Sequence, residues 1–473
     1  MQLIERETST NQPASKEPIT RLFARHVATL DYEKLPAAVI SKAKELIRDG
    51  LGNQLAASVI AEPARRMVEL LVEWGGKPEA TIVGYGAKVP LPHAVMANAM
   101  MGHGVELDDA HGRALTKAGS SMVPAAVAIG AFAHRSGKEM LAAVVAGYDI
   151  AIRLGVAINP SHRHRGYHTS GTVGTFGVAS AGARLLGLDA ETTASAIGLA
   201  GIQAAGIQGY LDDPCMAKPF SPGKAGFNGT LAAILASRGF TGPKTMLESN
   251  EGFLNAYADE FDEAVLIHGL GTDFKVMEVG FKPHAACRYA HGPIDCAQTI
   301  FANEGAVESE IVAVTVWMSE LSIRQSGRSE VSNLNAAMGS TPFGVALAIL
   351  TGRNGLADYR TGFDDRRTHE LAARVKLIAD PAIGHMGRAA RVTVEYADGR
   401  SETVAVGGPR GEPEFPLSAE ELHAKYLSMA TVAIPESQAL ELEDTIMHLE
   451  DVADITVIPP LTVSSSLPTA ERH

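Results

Sequence analysis

The chain has 473 residues, 46% of them hydrophobic and 20% charged, with a formal net charge of -13. This length and composition describe a globular protein of two or three domains with ample core and exclude a disordered chain. The acidic balance excludes nucleic acid and an anionic membrane as main partners, because both require a basic surface.

Aromatic residues make up only 5% of the chain, whereas glycine occurs 47 times. Small residues let helices approach closely, so a tightly packed helical body is predicted. The three cysteines, Cys215, Cys287 and Cys296, form no CxxC pair. That pattern points to reduced thiols and away from a cysteine-held iron–sulfur cluster. No apolar run reaches the ~20 residues of a membrane span. The opening MQLIERETSTNQPASKEP has no hydrophobic signal region and carries glutamates, so a cytoplasmic protein is expected.

Residues 1–17 are polar and expected to be a flexible tail, as are residues 466–473. Apolar residues at helical spacing then predict a succession of helices to about residue 265. They are ITRLFARHVATL, AAVISKAKELIRDGLGNQLAAS, AVMANAMMGHG, VPAAVAIGAFAHRSG, EMLAAVVAGYDIAIRLGVAI, SGTVGTFGVASAGARLLGL, AETTASAIGLAGIQAAG and GTLAAILASRGF. Beyond residue 275 the texture changes. IVAVTVWMS alternates and is β-branched, hence a strand. RVTVEYADGRSETVAV places two strand-like runs around the turn pair Asp398-Gly399. HGPIDCAQTIFANEG and STPFGVALAILTGR are helical between them, which predicts a smaller α+β domain over residues 276–415. SAEELHAKYLSMA and PESQALELEDTIMHLED are helical again. Residues 416–465 are therefore expected to rejoin the helical domain of residues 18–275, giving a mainly α protein.

Four clusters carry chemistry. GHGVELDDAHGRALTK packs His103, Glu106, Asp108, Asp109, His111 and Lys117 between two apolar helices. Such groups are costly there unless paired or functional. The spacings HxxE and HxxxxDD also resemble metal ligands, although a metal site needs three or four converging donors. SHRHRGYHTSGTVG sets His162, Arg163, His164, Arg165, Tyr167 and His168 before a helix. Free N–H groups and the helix dipole favour an anion there. Arg163 and His162 read as a solvated basic loop, whereas His168 abuts the apolar segment. CMAKPFSPGKAG brings Lys218 and Lys224 to another helix start. FKPHAACRYAH crowds Lys282, His284, Arg288, Tyr289 and His291 before a third. Basic clusters in an acidic chain imply a pocket for a small molecule with several carboxylates.

These segments resemble the MmgE/PrpD family over about residues 18–465. GHGVELDD is similar to its GHxLDFDD segment, KAGSSMVP to HPGSxVxP, and GYHTSGTVG to a G-aromatic-H-x-T-G segment. KPFSPGKAGFNGTLAAILASRGFTGP resembles its basic K-x-x-H-x-G-x-A segment, and KPHAACRYAH its KPYPCCRYTH-type segment. The resemblance implies a large all-helical domain built from both chain ends, a smaller α+β lid, a homodimer, and a cleft taking a small polycarboxylate without a redox cofactor. It implies proton exchange alpha to a carboxylate, as in 2-methylcitrate dehydratase, cis-aconitate decarboxylase and iminodisuccinate epimerase. The chain departs from the pattern at several positions. Glu106 stands for Asp, Ala110 for Thr, Lys117 for an acid/base His, and Ser221 and Cys287 each for a His. These departures argue against cis-aconitate decarboxylation and leave dehydration or epimerisation of a related, bulkier acid.

By that resemblance Lys218 and Lys282 bind substrate carboxylates, with His103, His291 and Ser221 completing the binding set. His168 is the general acid or base. Lys117 is the second acid/base or a carboxylate clamp, Asp108 and Glu106 orient these groups, and Tyr167 is a candidate to protonate a leaving hydroxyl. No metal is assigned. Rival readings are an iminodisuccinate-type epimerase, a catalytically inactive polycarboxylate-binding or scaffold member, and a helical metalloenzyme.

Overall fold

The apolar periodicities of the first half become helices because each stripe finds another to bury against. The computed structural model describes residues 17–213, 215–304, 310–384, 387–465 and 467, so the tails expected at 1–17 and 466–473 lie almost wholly outside the described residues. Eight helices match the predicted series, from Ile19–Thr29 to Phe220–Ser237. Ser136 and Glu139 form a capping box that starts Gly137–Ile158, and Asp189 caps Ala190–Gln203.

Helix Gly137–Ile158 packs on Thr169–Leu185, which in turn packs on Phe220–Ser237. At the first crossing a Cβ on Gly147 would lie 2.9 Å from the Gly177 carbonyl oxygen, and one on Gly177 would lie 2.7 Å from that of Gly147. Glycine at both positions sets the helix separation. Helix Gly137–Ile158 also corrects one expectation, since by length and composition it is apolar enough to span a membrane. Instead, 94% of its apolar window is buried inside the protein. Its Arg153 is wholly buried, paired with Asp149 at 3.0 Å and donating to the carbonyls of His268 and Asp273.

The smaller unit holds a four-stranded sheet of order β4-β3-β5-β6, where β3 is Ile311–Met318, β4 Val375–Ala379, β5 Ala390–Tyr396 and β6 Ser401–Val406. A short hairpin in the helical body, β1 (Ala80–Thr81) with β2 (Lys88–Val89), precedes them in the chain. β5 and β6 form the predicted hairpin, with Gly399 at φ +87° and Glu395 opposite Ser401. β4 pairs parallel to β3 and was not foreseen, because a parallel partner leaves no local turn signal. Helices Glu62–Trp74, Glu320–Ser326, Leu356–Asp364 and Arg366–Ala372 were likewise not foreseen. They are short or bury only part of their surface. His291–Glu304 covers the sheet and packs on Thr341–Thr351.

Helices Ala419–Ala430 and Glu436–Met447 return to the helical body and pack on Ala37–Ile60. Two buried pairs fasten them there, Lys425–Asp49 at 2.5 Å and Arg48–Glu443 at 2.7 Å.

Gly177→Ala is expected to destabilise the protein by about 1–3 kcal/mol through overpacking, read as a lower thermal midpoint. Gly407→Ala, whose added methyl meets nothing within 4 Å, serves as the unaffected control.

Candidate active site

The polar groups gather where several helices end. Helix Leu91–Gly102 finishes beside His103, and Gly119–Phe132 starts just after Lys117. His168 is the N-cap residue of Thr169–Leu185, and Lys218 lies two residues before Phe220–Ser237. The loop from His103 to Ala118 is tied to a distant segment by reciprocal backbone bonds of 2.9 Å between Ala110 and Gly280. That tie brings Lys282 under the loop.

Lys282 is wholly buried. Its ammonium donates to Asp108 Oδ1 at 2.9 Å, and to Glu106 Oε2 and the Glu106 carbonyl at 3.2 Å each. Lys218 donates to the other oxygen of the Glu106 carboxylate. Asp108 Oδ2 sits 2.6 Å from His103 Nδ1. Burial opposes ionisation of Glu106, but the ammoniums of Lys218 and Lys282 override it and hold the carboxyl below its usual range. Asp108 behaves alike, with burial outweighed by Lys282 and His103. Glu106 has a backbone φ of +54° and Leu115 one of +51°. Both line the cavity, and strain of this kind in a non-glycine residue is found at functional sites.

In front of this network lies a cavity of about 220 Å³, walled by the helical body and by the smaller unit. His103, Glu106, Lys117, His168 and Lys218 line it. So do Arg163, Tyr210, Cys287, Tyr289, Arg324 and Arg328. Five cations thus face two carboxylates, Glu106 and Glu330, and Glu106 is already bound by lysines. Lys117, Arg163 and Arg324 have no carboxylate partner among the described residues. Burial lowers the Lys117 ammonium to a pKa of about 8, and nearby Lys282 and Lys218 add to the effect. His168 is only 3% exposed and its Nδ1 has no hydrogen-bond partner. Burial, then the charges of His103, Lys117 and Lys218, push its pKa well below the usual imidazole value, so it is neutral at pH 7. The His103 and His168 rings lie 5.9 Å apart.

Several expected residues lie elsewhere. Asp108 and Lys282 stand behind the cavity wall and support Glu106 and His103 rather than facing the cavity. Tyr167 is stacked on His162, with centroids 4.6 Å apart, and lies tilted against Tyr257 at 4.8 Å. It precedes His168 in an extended segment, where successive side chains point to opposite sides. Ser221 sits in the first turn of Phe220–Ser237 against Gly171, outside the lining. His291 is buried in the smaller unit, where Nε2 meets the Ala286 carbonyl at 3.1 Å and Nδ1 faces Arg288, again outside the lining. Its place at the start of His291–Glu304 turns the ring inward. Lys224 lies over the Phe227 ring at 4.5 Å. His111 pairs with Glu278 at 3.0 Å.

Tyr210 and Arg324 lie outside the four sequence clusters, and the loop expected to be solvated has Arg163 half-buried and His162 wholly buried. Arg324 lies far along the chain from the other clusters, and its only local signal is a second arginine four residues on. Among the described residues no group of three or more His, Cys, Asp or Glu converges as a metal site, and His103 spends one nitrogen on Asp108. A larger surface cleft of about 600 Å³ runs past Lys77, Glu79 and His134. There Lys77 pairs with Glu79 and His134 with Asp454, which leaves Lys88 as a single cation with no titratable acid/base pair beside it among the described residues.

Asp109 stands apart. It accepts from Gly119 N at 3.0 Å and Tyr148 Oη at 2.8 Å. Burial nevertheless raises its pKa to about 7, with the Asp108 charge adding to the shift. An acid whose pKa is raised on folding favours the folded state at low pH and loses that contribution as pH rises through 7. Asp109→Asn should therefore show a smaller drop in thermal midpoint between pH 6 and pH 9 than the parent. An equal drop in both proteins would contradict the assignment.

Residues 21–265 match the MmgE/PrpD N-terminal domain, and residues 284–451 match the MmgE/PrpD C-terminal domain. The chain is similar to a cis-aconitate decarboxylase of Aspergillus terreus, with 27% identity over 93% of this chain and 95% of the relative. The cis-aconitate decarboxylases of Homo sapiens and Mus musculus are 24% and 22% identical, each over 95% of this chain and over 95% and 94% of their own length. With both domains matched in order along a mainly helical fold, the chain belongs to the MmgE/PrpD family.

Proposed function

We propose that this protein is a cofactor-independent carbon–oxygen lyase that dehydrates a 2-methylcitrate-like or alkylcitrate-like polycarboxylate. The observation that carries the reading is the pairing, in one cation-lined cavity, of a neutral imidazole with an amine of pKa about 8. A dehydration of this type needs one group to take a proton and a second to give one.

The substrate carboxylates bind the unpaired cations and Lys218. Their negative charge offsets the ammoniums that depress His168, so its basicity rises as substrate binds. Nδ1 or Nε2 of His168 then takes the proton alpha to a carboxylate. The charge that develops on that carboxylate faces Lys117 and Lys218 in a partly enclosed site, where a fixed ammonium is worth more than in water. Lys117, largely protonated at pH 7, delivers a proton to the departing hydroxyl. The C–H and C–O bonds break, a C=C bond forms, and water leaves. Lys117 is suited to this role because burial and the neighbouring ammoniums of Lys282 and Lys218 loosen its hold on the proton.

A second reading is decarboxylation, favoured by the relatives that bear the name cis-aconitate decarboxylase. In it Lys117 would protonate the carbanion left by carbon dioxide. Incubating the purified protein in deuterium oxide with alkylcitrates and with cis-aconitate separates the two. Mass loss of water from an alkylcitrate supports dehydration, and loss of carbon dioxide from cis-aconitate without it overturns dehydration.

kcat/KM should fall as pH rises through about 8, because the acid Lys117 of the free enzyme loses its proton. Lys117→Met should remove that alkaline limb and cost about 10²–10⁴-fold in kcat, as should His168→Asn. Unchanged turnover in both folded variants would refute the roles given to these residues.

A further inference from the structure

Arg163 and Arg324 reach the same cavity from opposite sides. Arg163 belongs to the helical body, on the short helix Ser161–His164, and is half-buried in the wall. Arg324 belongs to the smaller unit, on helix Glu320–Ser326, and is exposed at the mouth. Both guanidiniums line this one cavity, and the charge of Arg324 acts against that of Arg163. Neither has a carboxylate partner among the described residues, although Glu330 lines the same cavity. Two like charges facing one cavity without a counter-ion favour an anion in that cavity. A guanidinium is also the side chain best shaped to hold a carboxylate by two parallel bonds. Lys117 and Lys218 line the same cavity and act electrostatically on His168, and those groups serve the carboxylates nearest the reacting carbon.

We infer that Arg163 and Arg324 form a separate carboxylate subsite spanning the two units, which makes the cavity selective for tricarboxylates over dicarboxylates of the same chain length. The inference rests on the polycarboxylate reading of this cavity and adds the residues that count the third carboxylate. It does not depend on which bond is broken.

Two unreactive probes test it, propane-1,2,3-tricarboxylate and glutarate, which lacks only the middle carboxylate. Their affinities are measured by titration calorimetry at one ionic strength. The parent protein should bind the tricarboxylate about 10-fold or more tighter than glutarate, the ratio of one charge-assisted contact. Arg163→Met should lose about 10-fold in tricarboxylate affinity and Arg324→Met, being more exposed, about threefold. Both should leave glutarate affinity within about twofold, which also verifies that the variants are folded. Arg163→Lys should recover part of the loss. Equal losses for both probes, or no loss for either, overturn the subsite while leaving the polycarboxylate reading intact. Failure of the parent to bind either probe overturns both.

Discussion

One carboxylate shared by two ammoniums organises this molecule. Glu106 lies between Lys218 and Lys282, and Lys282 passes the interaction on through Asp108 to His103. Each of these charges would cost several kcal/mol if buried alone. Together they are compensated, and removing one leaves the others stranded. The network also joins three stretches of chain far apart in sequence. Its members come from the loop after helix Leu91–Gly102, from the approach to Phe220–Ser237, and from the segment that opens the smaller unit.

That compensation divides the basic residues into two sets. Lys282 and, in part, Lys218 are spent on carboxylates of the protein itself, so they shape the electrostatics more than they are free to bind. Lys117, Arg163 and Arg324 are not spent. Burial together with the charges of His103, Lys117, Lys218 and Arg163 lowers the basicity of His168, burial with Lys282 and Lys218 lowers the proton affinity of Lys117, and an anionic ligand opposes both effects. The same field can therefore recruit a polycarboxylate and retune the acid and base when it arrives.

Position in the fold accounts for the sharing of a scaffold with proteins less than 30% identical over more than nine-tenths of their length. The helices that meet at Gly147 and Gly177 form a close-packed frame with little tolerance for change of volume. Helix termini and the loops between them carry the chemistry, and a side chain such as Lys117 can be exchanged there without disturbing the frame. Buried ion pairs at Asp49 and Glu443 hold the C-terminal helices on the body, so both chain ends support the frame.

Much of this was legible in the residues alone. Helical periodicity located the long helices of the body, and the Asp398-Gly399 pair located the hairpin, because both signals are local. Motif resemblance pointed to His103, Glu106, Lys117, His168 and Lys218, which do share one cavity. Direction was not legible. Tyr167 and His168 are neighbours in the chain, yet one stacks on His162 and the other faces the cavity. Nor was pairing legible, since nothing in the linear pattern says that Lys282 is consumed by Asp108 while Arg163 is left without a partner. Residue type and spacing thus determined which groups exist and which helices carry them. Only tertiary packing decided which charges meet and cancel, because that depends on distances between segments a hundred or more residues apart.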